Sequence, residues 1–284
     1  MSGARRSLVT LFGAVLLLPA LYGFGLPVPL DLAATHTGWA PAASATIHPG
    51  VQVVTNGAQC TSNFVFTRGS EVLLGMAAHC AGLGGQTDTN GCTTGSLPTG
   101  TSVQISGASR NGTLVYSSWL AMQEAGTTNA NACAFNDFAL VSIHSDDHGK
   151  VNPSMPSWGG PVAVGDGTSA GEQVFSYGNS SLRLGLTLLS PKTGVSLGTS
   201  GGGWTHTVYT VTPGIPGDSG SGMLDSGGRA VGVLSTVALA PLALSNGFSD
   251  LGSALAFAQS NGMSGVTLAP GTEAFNGSLL GLIG

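Results

Sequence analysis

Three short segments carry the side chains that could do nucleophilic chemistry. They are Ala77-Ala78-His79-Cys80, Asn136-Asp137-Phe138-Ala139-Leu140-Val141 and Pro216-Gly217-Asp218-Ser219-Gly220-Ser221-Gly222. Taken singly, each has a plain structural reading. A histidine after a strand is commonly a surface residue, an aspartate before a strand commonly caps a turn, and Gly-Asp-Ser-Gly can be a hairpin turn. Taken together they supply a nucleophile, a base and a carboxylate. A serine hydroxyl is too weakly acidic to attack an amide at neutral pH, so a neutral imidazole must take its proton. A carboxylate on the other ring nitrogen fixes the tautomer. The tetrahedral oxyanion then needs two convergent N–H donors. A tight Gly-x-Ser turn can aim the amides of Gly217 and Ser219 at one point. Losing one such donor typically costs about 3–4 kcal/mol of transition-state stabilisation.

The elements that must position these groups read as short strands. Residues 52–55, 63–67, 71–74, 102–105, 113–116 and 138–141 are β-prone runs punctuated by turn residues such as Asn56-Gly57 and Arg68-Gly69-Ser70. A break follows over residues 144–167, where Pro153, Pro156 and Pro161 remove backbone donors. Strand-like runs resume at 172–175, 182–189, 205–211 and 230–234, and only 252–259 shows a helical apolar face. The organisation expected is a leader over 1–45, a β-rich half over 46–150, a surface linker over 151–167, a second β-rich half with its helix over 168–265, and a tail over 266–284. Two β-barrels side by side would leave a cleft, a usual place for a site.

Composition agrees with an all-β reading. Charged residues are only 7% of the 284, and 46 glycines are spread without a period among Val, Thr, Ser and Leu. The apolar content of 42% excludes a disordered chain, and the absence of a Gly-X-Y repeat excludes collagen. A net charge of -5 with no basic stripe argues against a nucleic-acid partner. At the N-terminus, Arg5 and Arg6 precede an apolar run over residues 8–22, and Ala43-Ser44-Ala45 offers a cleavage site. This predicts export, with an uncleaved membrane anchor as the alternative. Cys60, Cys80, Cys92 and Cys133 suit disulfides in an exported chain and allow three pairings. A zinc site is disfavoured by the absence of a Cys-x-x-Cys pair. His144, His148 and His206 have no partner pattern and read as surface residues.

In the order His, Asp, Ser, the three segments resemble the signature segments of the chymotrypsin-like serine peptidases. Subtilisins and α/β-hydrolases use other orders, and Ser221 stands where the hydrolase elbow needs glycine. The run Cys60-x-x-x-Phe64-x-x-Thr67-Arg68-Gly69 is similar to the small bacterial members. The resemblance covers about residues 47–262 and implies two six-stranded antiparallel Greek-key β-barrels, an active site in the cleft between them and a short C-terminal helix. It implies a triad of His79, Asp137 and Ser219, and oxyanion donors from Gly217 and Ser219. Ser235 matches the serine that bonds the triad aspartate and opens the segment pairing with substrate backbone. Pro213 falls at the base of the main specificity pocket and Val237 on its wall. With no carboxylate at Pro213 and a narrowing valine, a small or medium apolar residue is expected before the scissile bond. Asp218 matches a structural aspartate buried in an ion pair. Thr46-Ile47-His48-Pro49-Gly50 is not the start from which a freed amine would reach it, so Arg183 is the expected partner. The resemblance also implies a Cys60–Cys80 bridge, which leaves Cys92 and Cys133 for a second. The implied protein is a secreted, monomeric endopeptidase acting on protein or peptide substrates, with no cofactor and no metal. A catalytically inactive binding module on the same fold is the alternative.

Overall fold

Alternation of small polar and branched apolar residues builds the strands. In residues 102–105, Val103 and Ile105 are buried while Ser102 and Gln104 face solvent. In residues 71–76, Val72, Leu73 and Leu74 are all buried, so that strand is covered on both faces. The computed structural model describes residues 38–85, 88–237 and 243–278. The apolar run over residues 8–22 lies outside the described residues.

The first half contains β1 (Gln52–Thr55), β2 (Ala58–Thr61), β3 (Val65–Arg68), β4 (Glu71–Met76), β5 (Ser102–Ile105), β6 (Gly112–Ser117), helices α1 (Ser118–Glu124) and α2 (Ala130–Phe135), and β7 (Ala139–Ser142). The second contains β8 (Ala170–Tyr177), β9 (Pro191–Ser200), β10 (Thr205–Thr210), β11 (Gly222–Leu224), β12 (Ala230–Val237), β13 (Asn246–Asp250) and α3 (Leu251–Ser260), after which β14 (Thr267–Leu268) returns to the first. Strands β8 to β13 close into a six-stranded antiparallel barrel in the order β10-β13-β12-β11-β8-β9. Val174, Val208, Met223, Val231, Leu234 and Phe248 form a core cluster within it. The first half is an eight-stranded sheet in the order β14-β3-β4-β7-β6-β5-β1-β2. The expected count of six is exceeded partly because β14, from the C-terminal tail, pairs with β3 at Thr267↔Thr67 and Leu268↔Phe66.

Several expected boundaries are corrected. The leader does not extend to residue 45 as a detached segment. Trp39 packs on the main core, Ala40 N–H bonds Val151 O at 2.9 Å, and Asn152 Nδ2 donates to Ala40 O at 2.7 Å. The stretch 151–167 is no surface linker, because Val151, Met155 and Trp158 are buried. Its pairing is limited to isolated bridges, as between Val164 and Ala230, yet much of it is buried. Asn152 and Ser154 satisfy neighbouring backbone groups with their side chains, and Trp158 Nε1 bonds Ser176 O at 2.8 Å. The described part of the tail packs on the body, since Phe275 meets Phe175 with ring centroids 5.3 Å apart.

Residues 182–189 form no strand. Leu184 and Gly185 take φ of 52° and 82°, outside the extended region, and two short 3-10 turns result. The helix expected over 252–259 is present as α3, capped by Asp250. His206 is fully buried rather than exposed, with Nε2 2.9 Å from Asp250 Oδ2.

Candidate active site

Strand pairing brings His79 and Asp137 together. β4 and β7 are antiparallel neighbours with Met76 opposite Ala139, so the end of one strand lies beside the start of the other. His79 follows β4 in a 3-10 turn over Ala78–Ala81, and Asp137 stands just ahead of β7. Asp137 is 3% exposed. Its Oδ2 lies 2.6 Å from His79 Nδ1, and its Oδ1 accepts the His79 backbone N–H at 2.8 Å. From the second half, the Ser235 hydroxyl on β12 donates to Oδ2 at 2.6 Å. An acceptor with this geometry holds the proton on Nδ1 and leaves Nε2 free to act as a base.

The electrostatics follow. Burial works against a charged imidazole, but the charge and hydrogen bond of Asp137 together outweigh it, so His79 titrates above the ordinary histidine value. For Asp137, burial favours the neutral acid, yet the His79 and Ser235 interactions hold its pKa below the usual carboxylate range.

The Ser219 turn lies against β2 and the backbone that leads into His79. Thr61 N–H on β2 donates to Ser219 O at 2.8 Å, which ties the turn to the first half. Gly220 has φ +88°, and a Cβ there would lie 2.5 Å from Thr61 O and 3.0 Å from Ala77 N. A side chain at 220 would therefore force the Ser219 turn away from the histidine segment. Among the described residues, neither the Gly217 N–H nor the Ser219 N–H has an acceptor, whereas Asp218 N–H bonds Ile215 O at 2.9 Å.

Asp218 is fully buried. Arg183 pairs with both of its carboxylate oxygens. Lys192 Nζ, which the sequence reading missed, lies 3.2 Å from Oδ2. The Ser180 and Ile215 N–H groups also donate to it, at 3.2 and 3.1 Å. Burial pushes the carboxyl pKa up, and these partners bring it below its ordinary value. Burial also lowers the Lys192 pKa, and the Arg183 charge adds to that. Pro213 lies beside this cluster, its carbonyl accepting Lys192 Nζ at 3.0 Å. Gly214 N–H bonds Asn246 Oδ1, and a Cβ at Gly214 would lie 3.2 Å from Val237 Cγ2. Pro213 and Val237 thus flank one neighbourhood.

Both disulfides brace the first half. Cys60–Cys80 joins β2 to the residue after His79, and Cys92–Cys133 joins the 88–97 region to α2, just ahead of Asp137. Ligand atoms of Cys60, His79 and Cys80 lie within 4.8 Å of one another, but both sulfurs are spent in the disulfide. The sequence reading also missed Gln59, Thr61 and Ser180. Their side chains contact the 216–217 backbone from distant segments, and short-range pattern carries no such signal.

No family model matches the chain, and no curated protein matches it. Solved structures do. Thermobifida fusca protease A aligns with a TM-score of 0.51 and 19% identity, over 80% of this chain and 100% of its own. A glutamic acid specific serine protease aligns at 0.49 and 16% identity, over 78% and 100% of the two chains. Cellulomonas bogoriensis chymotrypsin aligns at 0.47 and 18% identity, over 78% and 98%. Strand order, barrel closure and the likeness to Thermobifida fusca protease A identify the chain as one with the chymotrypsin-type all-β fold.

Proposed function

We propose that the protein is an exported serine endopeptidase that cleaves peptide bonds through an acyl-enzyme on Ser219. The observation that carries this reading is the His79–Asp137–Ser235 network, with the Ser219 turn tied by Thr61 to the half that holds His79 and Asp137. In the reaction, His79 Nε2 takes the Ser219 Oγ proton as Oγ attacks the scissile carbonyl. The N–H groups of Gly217 and Ser219 receive the oxyanion. His79 then gives its proton to the leaving amine, and water, activated by the same imidazole, releases the acid and restores Ser219. The β12 segment from Ser235 to Val237 pairs with substrate backbone. No step calls for a metal or cofactor.

The partners are proteins or peptides, not nucleic acid. The absence of a carboxylate at Pro213 and the valine at 237 support a small or medium apolar residue before the scissile bond. Two disulfides support export. No helix among the described residues is long and apolar enough to cross a membrane.

Fluorophosphonate labelling tests the reaction class. Wild type is expected to be labelled and Ser219→Ala not. An unlabelled but folded wild type would favour the inactive binding module. A peptide library then tests the pocket, and cleavage after Arg, Lys or Glu would overturn the apolar preference. The pH profile gives a third expectation. The base must be neutral, and His79 titrates above the ordinary value of 6.5. The acid limb of kcat/KM is therefore expected to turn above pH 6.5, and an inflection below it would contradict the network.

A further inference from the structure

The peptide joining Pro216 to Gly217 carries the Gly217 N–H on one side and the Pro216 carbonyl on the other. The peptide is trans, so the two groups point in opposite directions. Whatever holds the carbonyl therefore aims the N–H. The Ser180 hydroxyl donates to Pro216 O at 2.5 Å. Ser180 is 2% exposed, and its oxygen already accepts the Leu182 N–H at 3.1 Å, so its one proton is committed to Pro216. The Ser180 backbone N–H is itself tied to Asp218 Oδ1. The following carbonyl, Gly217 O, is held as well, by Thr61 Oγ1 at 2.7 Å and Gln59 Nε2 at 3.1 Å. Both side chains are anchored in turn, Thr61 Oγ1 accepting Asn179 N–H at 3.0 Å and Gln59 Oε1 accepting Ser181 N–H at 3.0 Å. Gly217 has φ +95°, a region where backbone is free to turn over unless something fixes it.

Building on the peptidase reading of Ser219, we propose that Ser180 is a positioning residue for the oxyanion hole. Its hydroxyl holds the 216–217 peptide with the Gly217 N–H facing the developing oxyanion, and Thr61 and Gln59 brace the next carbonyl. Without the Ser180 hydroxyl the peptide can rotate, and a carbonyl oxygen then stands where a donor is needed. An oxyanion exists only after attack, so the loss falls on the chemical step and not on substrate binding.

The test is Ser180→Ala beside Ser180→Thr, on a peptide that wild type cleaves. Ser180→Ala is expected to lower kcat by about ten- to a hundredfold, short of the loss of a whole donor, with KM within about twofold. Affinity for a peptide boronate, whose adduct on Ser219 carries the tetrahedral oxygen, should fall in parallel. Affinity for the cleaved product peptide should not. Ser180→Thr keeps the hydroxyl and should stay near wild type. Thr61→Val removes the second tie without touching Ser180. It carries the same direction of change and stands in if Ser180→Ala does not fold. Wild-type kcat and boronate affinity in the folded variant overturn the proposal. So do equal losses in Ser180→Ala and Ser180→Thr, or a loss confined to KM. A wild type that neither cleaves peptides nor takes the fluorophosphonate sinks the peptidase reading itself. A labelled wild type beside an unimpaired Ser180→Ala sinks only the role of Ser180.

Discussion

Asp137→Asn is expected to lower kcat by about 10⁴-fold while the protein stays folded and KM changes little. The reason lies in how the carboxylate is used. Oδ1 accepts a backbone N–H of His79, and Oδ2 accepts both the His79 Nδ1–H and the Ser235 hydroxyl. An asparagine offers one acceptor and one donor in place of two acceptors. If its amide nitrogen faced the His79 backbone, two donors would be buried against each other, at a cost of about 1–3 kcal/mol. If its nitrogen faces the imidazole instead, the ring can adapt by moving its proton to Nε2. The ring has two tautomers and the backbone amide has one, so the ring yields. A proton on Nε2 leaves no base for Ser219. Ser235→Ala makes the contrast, since it removes one donor and leaves the tautomer intact, so its loss should be far smaller. Steady-state kinetics of the two variants, with circular dichroism as the check on folding, settles the matter. A kcat within tenfold of wild type for Asp137→Asn would remove Asp137 from the mechanism.

How much of this was legible in the sequence depended on the range of each interaction. Local alternation located β1 and β5 to the residue, and the Leu251–Ser260 helix to within one at each end. His79 and Asp137 stood out in a chain with only 7% charged residues and six histidines, whereas Ser219, one of many serines, stood out only through its Gly-Asp-Ser-Gly setting. α1 and α2 escaped notice because seven and six residues are too few to show a helical period. The leucine-rich 182–189 stretch reads as a strand by composition. Its conformation is set instead by Arg183, which must turn inward to Asp218, and by the positive φ of Leu184 and Gly185. β14 was invisible because two residues carry no pattern, and its pairing with β3 spans two hundred positions. Lys192 was missed for a related reason. A lysine beside proline in a glycine-rich run looks solvated, and only the closure of β8 on β9 puts its ammonium inside.

That lysine changes what Asp218 is expected to do. Arg183, Lys192 and Asp218 are all buried, so two cations share one carboxylate. Asp218→Asn leaves both cations without a counter-charge, and the loss of stability is expected to be about 3–5 kcal/mol, as for other broken buried pairs. Lys192→Met leaves a balanced Arg183–Asp218 pair and frees only the Thr212 and Pro213 carbonyls from a donor. It should cost clearly less. The pH dependence separates charge from packing. The folded pKa of Asp218 lies below its ordinary value of 3.8. A depressed carboxyl pKa contributes stability that is fully present above the unfolded value and is lost as pH falls through the folded one. Wild type should therefore lose this increment on acidification below about pH 3.8, and Asp218→Asn has none to lose. Urea unfolding at pH 7 and at pH 3 should show the gap between the two proteins narrowing at the lower pH. A gap that is the same at both values would mean that the asparagine disturbs packing and that the charge of Asp218 contributes little. The same carboxylate accepts the N–H groups of Ser180 and Ile215, on either side of the Ser219 turn. Asp218→Asn should therefore also lower kcat at pH 7, under conditions where the variant is still folded. The Asp218 cluster is bonded to the backbone on which the proposed nucleophile turn rests, so its failure should appear in both measurements at once.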